Sequence, residues 1–105
     1  MARNGKKRTR PGYHEDLIES LKDPEEAIGY LQAALAESDM PEVFLLALRN
    51  VAEARGMSEL ARAAHLNREN LYRLLSRSGN PELGSLVAIL DALGLRLSVA
   101  TKKAS

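Results

Sequence analysis

Apolar residues recur at helical spacing along most of the chain. Leu17, Ile18 and Leu21 lie three and four residues apart and predict a short first helix. A stronger start signal follows, because Asp23 can cap a second helix whose first position is Pro24. One face of this second helix requires a surface to pack on. Its apolar residues are Ile28, Leu31, Ala34 and Leu35.

A third predicted helix opens at Pro41 and carries too many apolar residues for a single narrow stripe. This pattern indicates a central and largely buried helix. We expect it to end at Gly56, where a residue with positive φ stops a helix, and we expect Arg55 to complement its carbonyl end. The apolar residues of this helix are Val43, Phe44, Leu46, Ala47, Leu48, Val51 and Ala54.

Three further helices are predicted toward the end of the chain. Ser58 is a candidate N-cap for a short fourth helix, and Asn67 is one for a fifth helix that runs to about Gly79. A sixth helix ends at Gly94. The segment 95–100 (LRLSVA) then alternates apolar and polar residues, which predicts a short strand. The apolar residues of the sixth helix are Leu83, Leu86, Val87, Ile89, Leu90 and Leu93.

Composition supports an all-α fold in one domain. The chain has 105 residues, of which 45% are hydrophobic and only 4% aromatic, and its leucine and alanine content favours helices. We expect a disordered basic arm over residues 1–12, a single helical domain over 13–101 and a tail over 102–105. The lack of cysteine excludes disulfides, thiolate metal sites and a cysteine nucleophile. No apolar run has the length of a membrane span or follows the basic start as a signal segment would, so we expect a cytoplasmic protein.

Charge is divided into blocks along the chain, although the formal net charge is only +1. Residues 1–12 carry five bases and no acid, residues 13–54 carry ten acids and two bases, and residues 55–105 carry eight bases and four acids. An acidic middle and a basic distal half suit two partners of opposite charge. The alternative is that the acids only cover solvated helix faces.

Two short helices joined by a turn of about three residues define a helix-turn-helix over residues 58–76. Its alanines are explained by shape, because a longer side chain would separate two crossing helices beyond roughly 8–10 Å. The residues predicted to hold the two helices together are Leu60, Ala61, Ala64, Leu66, Leu71 and Leu74.

With these leucines facing inward, the polar residues of the second helix of the motif face outward. Arginine can bond guanine O6 and N7, and asparagine can bond adenine N6 and N7, so such a strip suits the major groove of DNA. On spacing alone, a solvated helix face is the more common explanation. The candidates that face bases are Asn67, Arg68, Glu69, Asn70, Tyr72 and Arg73, and the candidates for phosphate contacts are Ser58, Arg62, Arg77, Ser78 and Asn80. Glu69 is ambiguous, since it can accept from cytosine N4 or simply favour the helix start.

His65 occupies the turn position where such motifs usually carry glycine. Histidine tolerates a left-handed backbone better than most residues, so we interpret His65 as a strained turn residue rather than a metal ligand or a catalytic base. The other histidine, His14, is far away in sequence, and no spacing of carboxylates completes a site. We therefore expect no enzymatic activity, no metal and no cofactor.

A resemblance to the Cro/repressor (Xre) class of helix-turn-helix domains is carried by GMSELARAAHLNRENLYRLLSRSGNPELGSLVAILDALGLRLSV. Extended backwards through DPEEAIGYLQAALAESDMPEVFLLALRNVAEAR, the chain resembles more narrowly the addiction-module antidote proteins, the HigA-like antitoxins of bacteria, over about residues 13–101. The resemblance implies a bundle of five to six helices of the lambda-repressor-like type. His65 in place of glycine departs from the repressor pattern and bears on the geometry of the turn.

The resemblance also implies two partners. One is a small basic toxin of the RelE/ParE type encoded beside the antitoxin, which the acidic segment 13–54 could meet. The other is the promoter of the protein's own operon, bound by a homodimer, since palindromic recognition requires two recognition helices about 34 Å apart. Either the segment 95–100 or the remaining apolar face of the last helix, with Leu83 and Val87, could form the dimer.

Two alternatives stay open from sequence. One is a transcriptional repressor of the phage or chromosomal type with no toxin partner, in which the early helices only complete the packing. The other is a protein-interaction module whose DNA-binding face has no role.

Overall fold

The computed structural model describes residues 11–37 and 39–102, and within them it contains six helices and no strand. The predicted all-α bundle is confirmed. The helices are α1 (Pro11–Ser20), α2 (Pro24–Ala36), α3 (Pro41–Arg55), α4 (Met57–Ala63), α5 (Arg68–Leu74) and α6 (Leu83–Ala92). The last two residues of the predicted basic arm are therefore helical, and the rest of that arm lies outside the described residues.

The third helix is central, as the density of its apolar residues predicts. It contacts α1, α2 and α4, and Leu48 and Ala52 on it are completely buried. The largest fully buried side chains of the core are Leu48, Leu60, Leu71, Leu75 and Ile89. Ala27 and Leu31 of α2 belong to the same cluster, so α2 to α6 all supply side chains to one continuous core. None of the described helices is long and apolar enough to cross a membrane.

The start of α2 is as predicted, but its packed face is not. The Asp23 carboxylate accepts a hydrogen bond from the Glu25 N–H at 3.0 Å, and Pro24 takes the first position. The prediction that Ile28 and Leu35 pack inward is wrong, because they are 40% and 61% exposed. The helix instead turns a narrower face to its neighbours. The buried residues of this face are Ala27 and Leu31, with Ala34 half-buried.

Gly56 and Gly94 mark the ends of two helices, as the sequence predicts. Gly56 has a φ of 111° and ends α3, and Gly94 has a φ of 80° after α6. The Arg55 guanidinium donates to the carbonyl oxygens of Ala92 and Leu93, at 3.4 and 3.2 Å. Arg55 therefore lies in the last turn of α3 but hydrogen-bonds the carbonyl end of α6, so it ties two helix ends together.

The prediction of a strand over residues 95–100 is wrong. This segment has no regular secondary structure, and the Val99 side chain is 97% exposed. A strand requires a neighbour for its backbone hydrogen bonds, and no other strand exists among the described residues. The alternation of apolar and polar residues in this segment is therefore not accompanied by pairing with another strand.

Candidate nucleic-acid interface

The two short helices predicted to form the motif, α4 and α5, pack against each other. Ala61 and Ala64 are buried at 2% and 5% exposure, as expected for small residues between closely packed helices. Leu66 in the turn is half-buried against the core. The predicted inward set also includes Leu60, Leu71 and Leu74, all of which are buried.

The turn between α4 and α5 has the geometry predicted for His65. Its φ is 61°, in the left-handed region, so a non-glycine residue occupies a position that favours glycine. The Leu66 N–H donates to the Ala61 carbonyl at 2.8 Å, and the His65 N–H donates to the Arg62 carbonyl at 3.2 Å. These two bonds form a Schellman motif, which ends α4 sharply and turns the chain into α5.

Of the two N-caps predicted for these helices, the structure contains one. Asn67 caps α5 as predicted, because its side-chain oxygen accepts from the Asn70 N–H at 2.6 Å. Ser58 is not the cap of α4, so that prediction is wrong. The helix starts at Met57 directly after Gly56, which leaves Ser58 exposed as its second residue.

The fifth helix is shorter than the prediction, which extended it to about Gly79. It ends at Leu74 because the chain then folds back on its carbonyl end. The Ser76 hydroxyl donates to the Arg73 carbonyl at 2.8 Å, and the Gly79 N–H donates to the Ser76 carbonyl at 3.0 Å. A Cβ at Gly79 would lie only 2.0 Å from the Leu74 carbonyl oxygen, so this close return requires glycine.

The six residues predicted to face bases lie within one short stretch at α5. Among them, Asn70 and Tyr72 are half-buried and the other four are exposed. The exposed residues are Asn67, Arg68, Glu69 and Arg73. The phosphate candidates are all exposed and lie on α4 or after α5. They are Ser58 and Arg62 on α4, and Arg77, Ser78 and Asn80 in the segment that follows α5.

Two of these side chains are bonded to each other. The Arg73 guanidinium donates to the Asn70 side-chain oxygen, three residues earlier on α5. An asparagine that bonds adenine bidentately needs this same oxygen as an acceptor for the adenine N6 amine. The geometry therefore offers either a joined Asn70–Arg73 pair or, after rotation of Arg73, two separate polar groups.

The Tyr72 ring contacts two guanidinium groups, one of which comes from outside the helix-turn-helix. The Arg49 guanidinium carbon lies 5.1 Å from the centroid of the Tyr72 ring, and that of Arg68 lies 5.5 Å from it. Both distances are within the range of cation–π attraction. Arg49 belongs to α3, within the acidic block of residues 13–54, and no local sequence spacing connects it with a residue on α5.

The histidines belong to different parts of the molecule. His14 on α1 lies against Glu53 on α3, with 3.3 Å between its Nε2 and the Oε1 of the carboxylate, whereas His65 lies in the turn after α4. Within the described ranges, no group of three histidine, cysteine, aspartate or glutamate side chains could hold a metal ion.

Comparison with known proteins gives a family. A model described as "Probable addiction module antidote protein" matches residues 13–101. An uncharacterized protein of Haemophilus influenzae (strain KW20 / Rd) is 40% identical over 84 residues, which are 80% of this chain and 86% of that protein. No solved structure gives a significant match. The family model spans α2 to α6 and most of α1, and the chain therefore belongs to the family of probable addiction module antidote proteins.

Proposed function

We propose that this protein is the antitoxin of a type II toxin–antitoxin module. In this proposal it is a HigA-like protein of the cytoplasm that neutralises a small RelE/ParE-type toxin by direct binding and has no catalytic activity. It also represses its own operon as a homodimer, through an Xre-type helix-turn-helix. Membership of an antidote family supports a toxin partner. The exposed Arg68 and Arg73 on α5, with the exposed Asn67 at its N-cap, are the observation that carries the DNA-binding part.

The DNA-binding part rests on how α5 is held and what it exposes. Leu71, Leu74 and Leu75 anchor one side of the helix in the core, so the opposite side is free to enter a groove. In our proposal, Arg68 and Arg73 bond guanine edges, and Asn67, Asn70, Tyr72 and Glu69 complete the contacts to bases. The positioning contacts to phosphates come from Ser58, Arg62, Arg77, Ser78 and Asn80.

The test of this part compares DNA affinity for a selected duplex and a scrambled duplex of equal length. The selected duplex is taken from a randomised library by the wild-type protein. We expect Arg68→Ala and Arg73→Ala each to lose about 1–3 kcal/mol of discrimination between the two duplexes, and wild-type binding to weaken steeply with salt. Lys22→Ala, which removes one positive charge from the exposed turn between α1 and α2, is the control. The assignment would be contradicted if all four proteins had the same ratio of affinities for the selected and the scrambled duplex.

The toxin-binding part rests on the acidic surface around α2. Glu25 and Glu26 in the first turn of this helix, Glu37 at its end and Asp39 beyond it are all exposed. An open, mainly apolar hollow between α2 and α3 adjoins Glu37 and is lined by residues that include Tyr30, Val43 and Leu46. An apolar hollow with acids beside it suits a protein partner with a basic surface. We propose this surface for the toxin.

The experiment measures the affinity of the protein for the toxin encoded beside its gene, by titration calorimetry. Replacing Glu25, Glu26, Glu37 and Asp39 by their amides is expected to weaken binding by roughly tenfold or more, because the encounter loses its charge complementarity. Glu82→Gln, which neutralises an exposed acid outside this surface, is the control. Unchanged affinity of the fourfold variant for the toxin would contradict the proposal that this acidic surface binds it.

We propose that the homodimer forms through the C-terminal region. Leu83 and Val87 on α6 are four residues apart and are 68% and 44% exposed, so one side of α6 presents apolar surface. Leu97 and Val99 in the following segment are exposed as well. Burying such residues against a second copy would bring two α5 helices onto one duplex.

A further inference from the structure

The Tyr72 ring lies close to two guanidinium groups that come from different helices. Arg68 approaches from one turn earlier on α5, with its Cζ 5.5 Å from the ring centroid. Arg49 approaches from α3, with its Cζ 5.1 Å from the same centroid. The ring is therefore held at once by its own helix and by the central helix of the fold.

Arg49 is itself held on α3. Its Nε lies 3.7 Å from the Glu53 carboxylate one turn later, and the other oxygen of that carboxylate lies 3.3 Å from His14 Nε2 on α1. α3 is also the helix whose Leu48 and Ala52 are completely buried. The guanidinium that contacts Tyr72 thus extends from a helix that packs against α1, α2 and α4.

We propose that Arg49 is a positioning residue of the α5 recognition face. It holds the Tyr72 ring in place and, through the ring, sets the direction in which Arg68 extends toward a base pair. This inference rests on the proposed DNA binding and adds a residue of α3 to that site. Sequence discrimination by α5 then depends on a contact made outside the helix-turn-helix.

Loss of this contact has a distinct signature. Without Arg49, the Tyr72 ring keeps one of its two cation contacts, so both the ring and Arg68 have more rotamers to lose on binding. Contacts to bases weaken, but the number of neutralised phosphates does not change, so the slope of log K against log salt stays the same. Removal of a residue that contacts phosphate directly would instead reduce the magnitude of that slope by about 1.

The experiment compares wild-type, Arg49→Met and Arg49→Lys proteins on a duplex selected by the wild-type protein and on a scrambled duplex. We expect Arg49→Met to lower the affinity ratio of the two duplexes by about tenfold at an unchanged salt slope. Arg49→Lys, which keeps a cation over the ring, recovers most of the ratio. Lys22→Met, which removes one positive charge from the exposed turn between α1 and α2, leaves the ratio as in the wild type. Thermal unfolding of each variant confirms that the fold is intact.

A double-mutant cycle identifies the ring as the intermediary. In a Tyr72→Leu background, Arg49→Met has no further effect on the ratio if Arg49 acts through Tyr72. A wild-type ratio in Arg49→Met, or equal losses on both duplexes with a smaller salt slope, would overturn the inference while leaving the proposed function intact. A wild-type protein that prefers no sequence would overturn both.

Discussion

At the scale of single residues, His65 and Gly94 hold equivalent positions at two helix ends. Both have positive φ, 61° and 80°. In each Schellman motif the backbone N–H of this residue donates to the carbonyl oxygen three residues earlier, that of Arg62 or of Asp91. One position carries a side chain and the other does not. The left-handed conformation costs a non-glycine residue roughly 1–2 kcal/mol, so the turn before α5 is held at an energetic cost that the packing of α4 on α5 offsets.

We therefore expect His65→Gly to raise the free energy of unfolding by roughly 0.5–1 kcal/mol, the relief of strain being partly offset by the freedom of glycine in the unfolded chain. Urea denaturation measures this. Gly94→Ala is the matched control, because a Cβ there meets nothing within 4 Å and only the backbone strain changes. We expect it to lower stability by about 1 kcal/mol. A destabilised His65→Gly protein would show that the His65 side chain stabilises the turn.

At the scale of helices, local signals and long-range contacts account for different parts of the structure. The Asp23–Pro24 and Asn67 caps, and glycines 56 and 94, are signals within a few residues, and each marks a helix end as predicted. The early end of α5 depends on the return of Gly79 onto Leu74. The alternation after Gly94 predicts a strand, but a strand depends on a neighbour that the described residues do not supply.

In the candidate site, too, some features follow from local sequence and others depend on the tertiary fold. Helical periodicity alone places Arg73 on the side of α5 opposite Leu71 and Leu74, and Arg68 is exposed in the first turn. The contact of Arg49 with Tyr72 joins residues 23 positions apart on different helices, and only the tertiary fold brings them together. Sequence therefore predicts that Arg68, Glu69 and Arg73 are exposed, but not that Asn70 and Tyr72 are half-buried or that Arg49 contacts the Tyr72 ring.

The sixth helix carries the prediction on assembly. Its exposed Val87 and Leu83 form an apolar face, so we expect Val87→Asp to convert the dimer into a monomer by placing an unpaired charge in the interface. Light scattering measures the mass in solution. Ile28→Asp on α2, where the native side chain is exposed to a similar extent, is the control and keeps the dimer. A dimer that survives Val87→Asp and dissociates with Val99→Asp would assign the interface to the terminal segment instead.

At the scale of the whole molecule, the two proposed surfaces lie at different places around one central helix. The acids of the toxin surface flank α2, and the polar strip of the DNA surface lies on α5. The third helix packs against α2 directly and reaches α5 through Arg49, so it adjoins both surfaces. This arrangement allows one antidote domain to hold a toxin and a duplex through separate sets of side chains.

The most direct measurement of the central claim is the change in backbone amide NMR shifts when the selected duplex is added to the protein. We expect the largest changes at residues 67–73, smaller ones at the phosphate candidates of α4 and of the segment after α5, and little change over residues 25–37. Changes concentrated on α2, with α5 unaffected, would contradict the assignment of α5 as the helix that binds DNA.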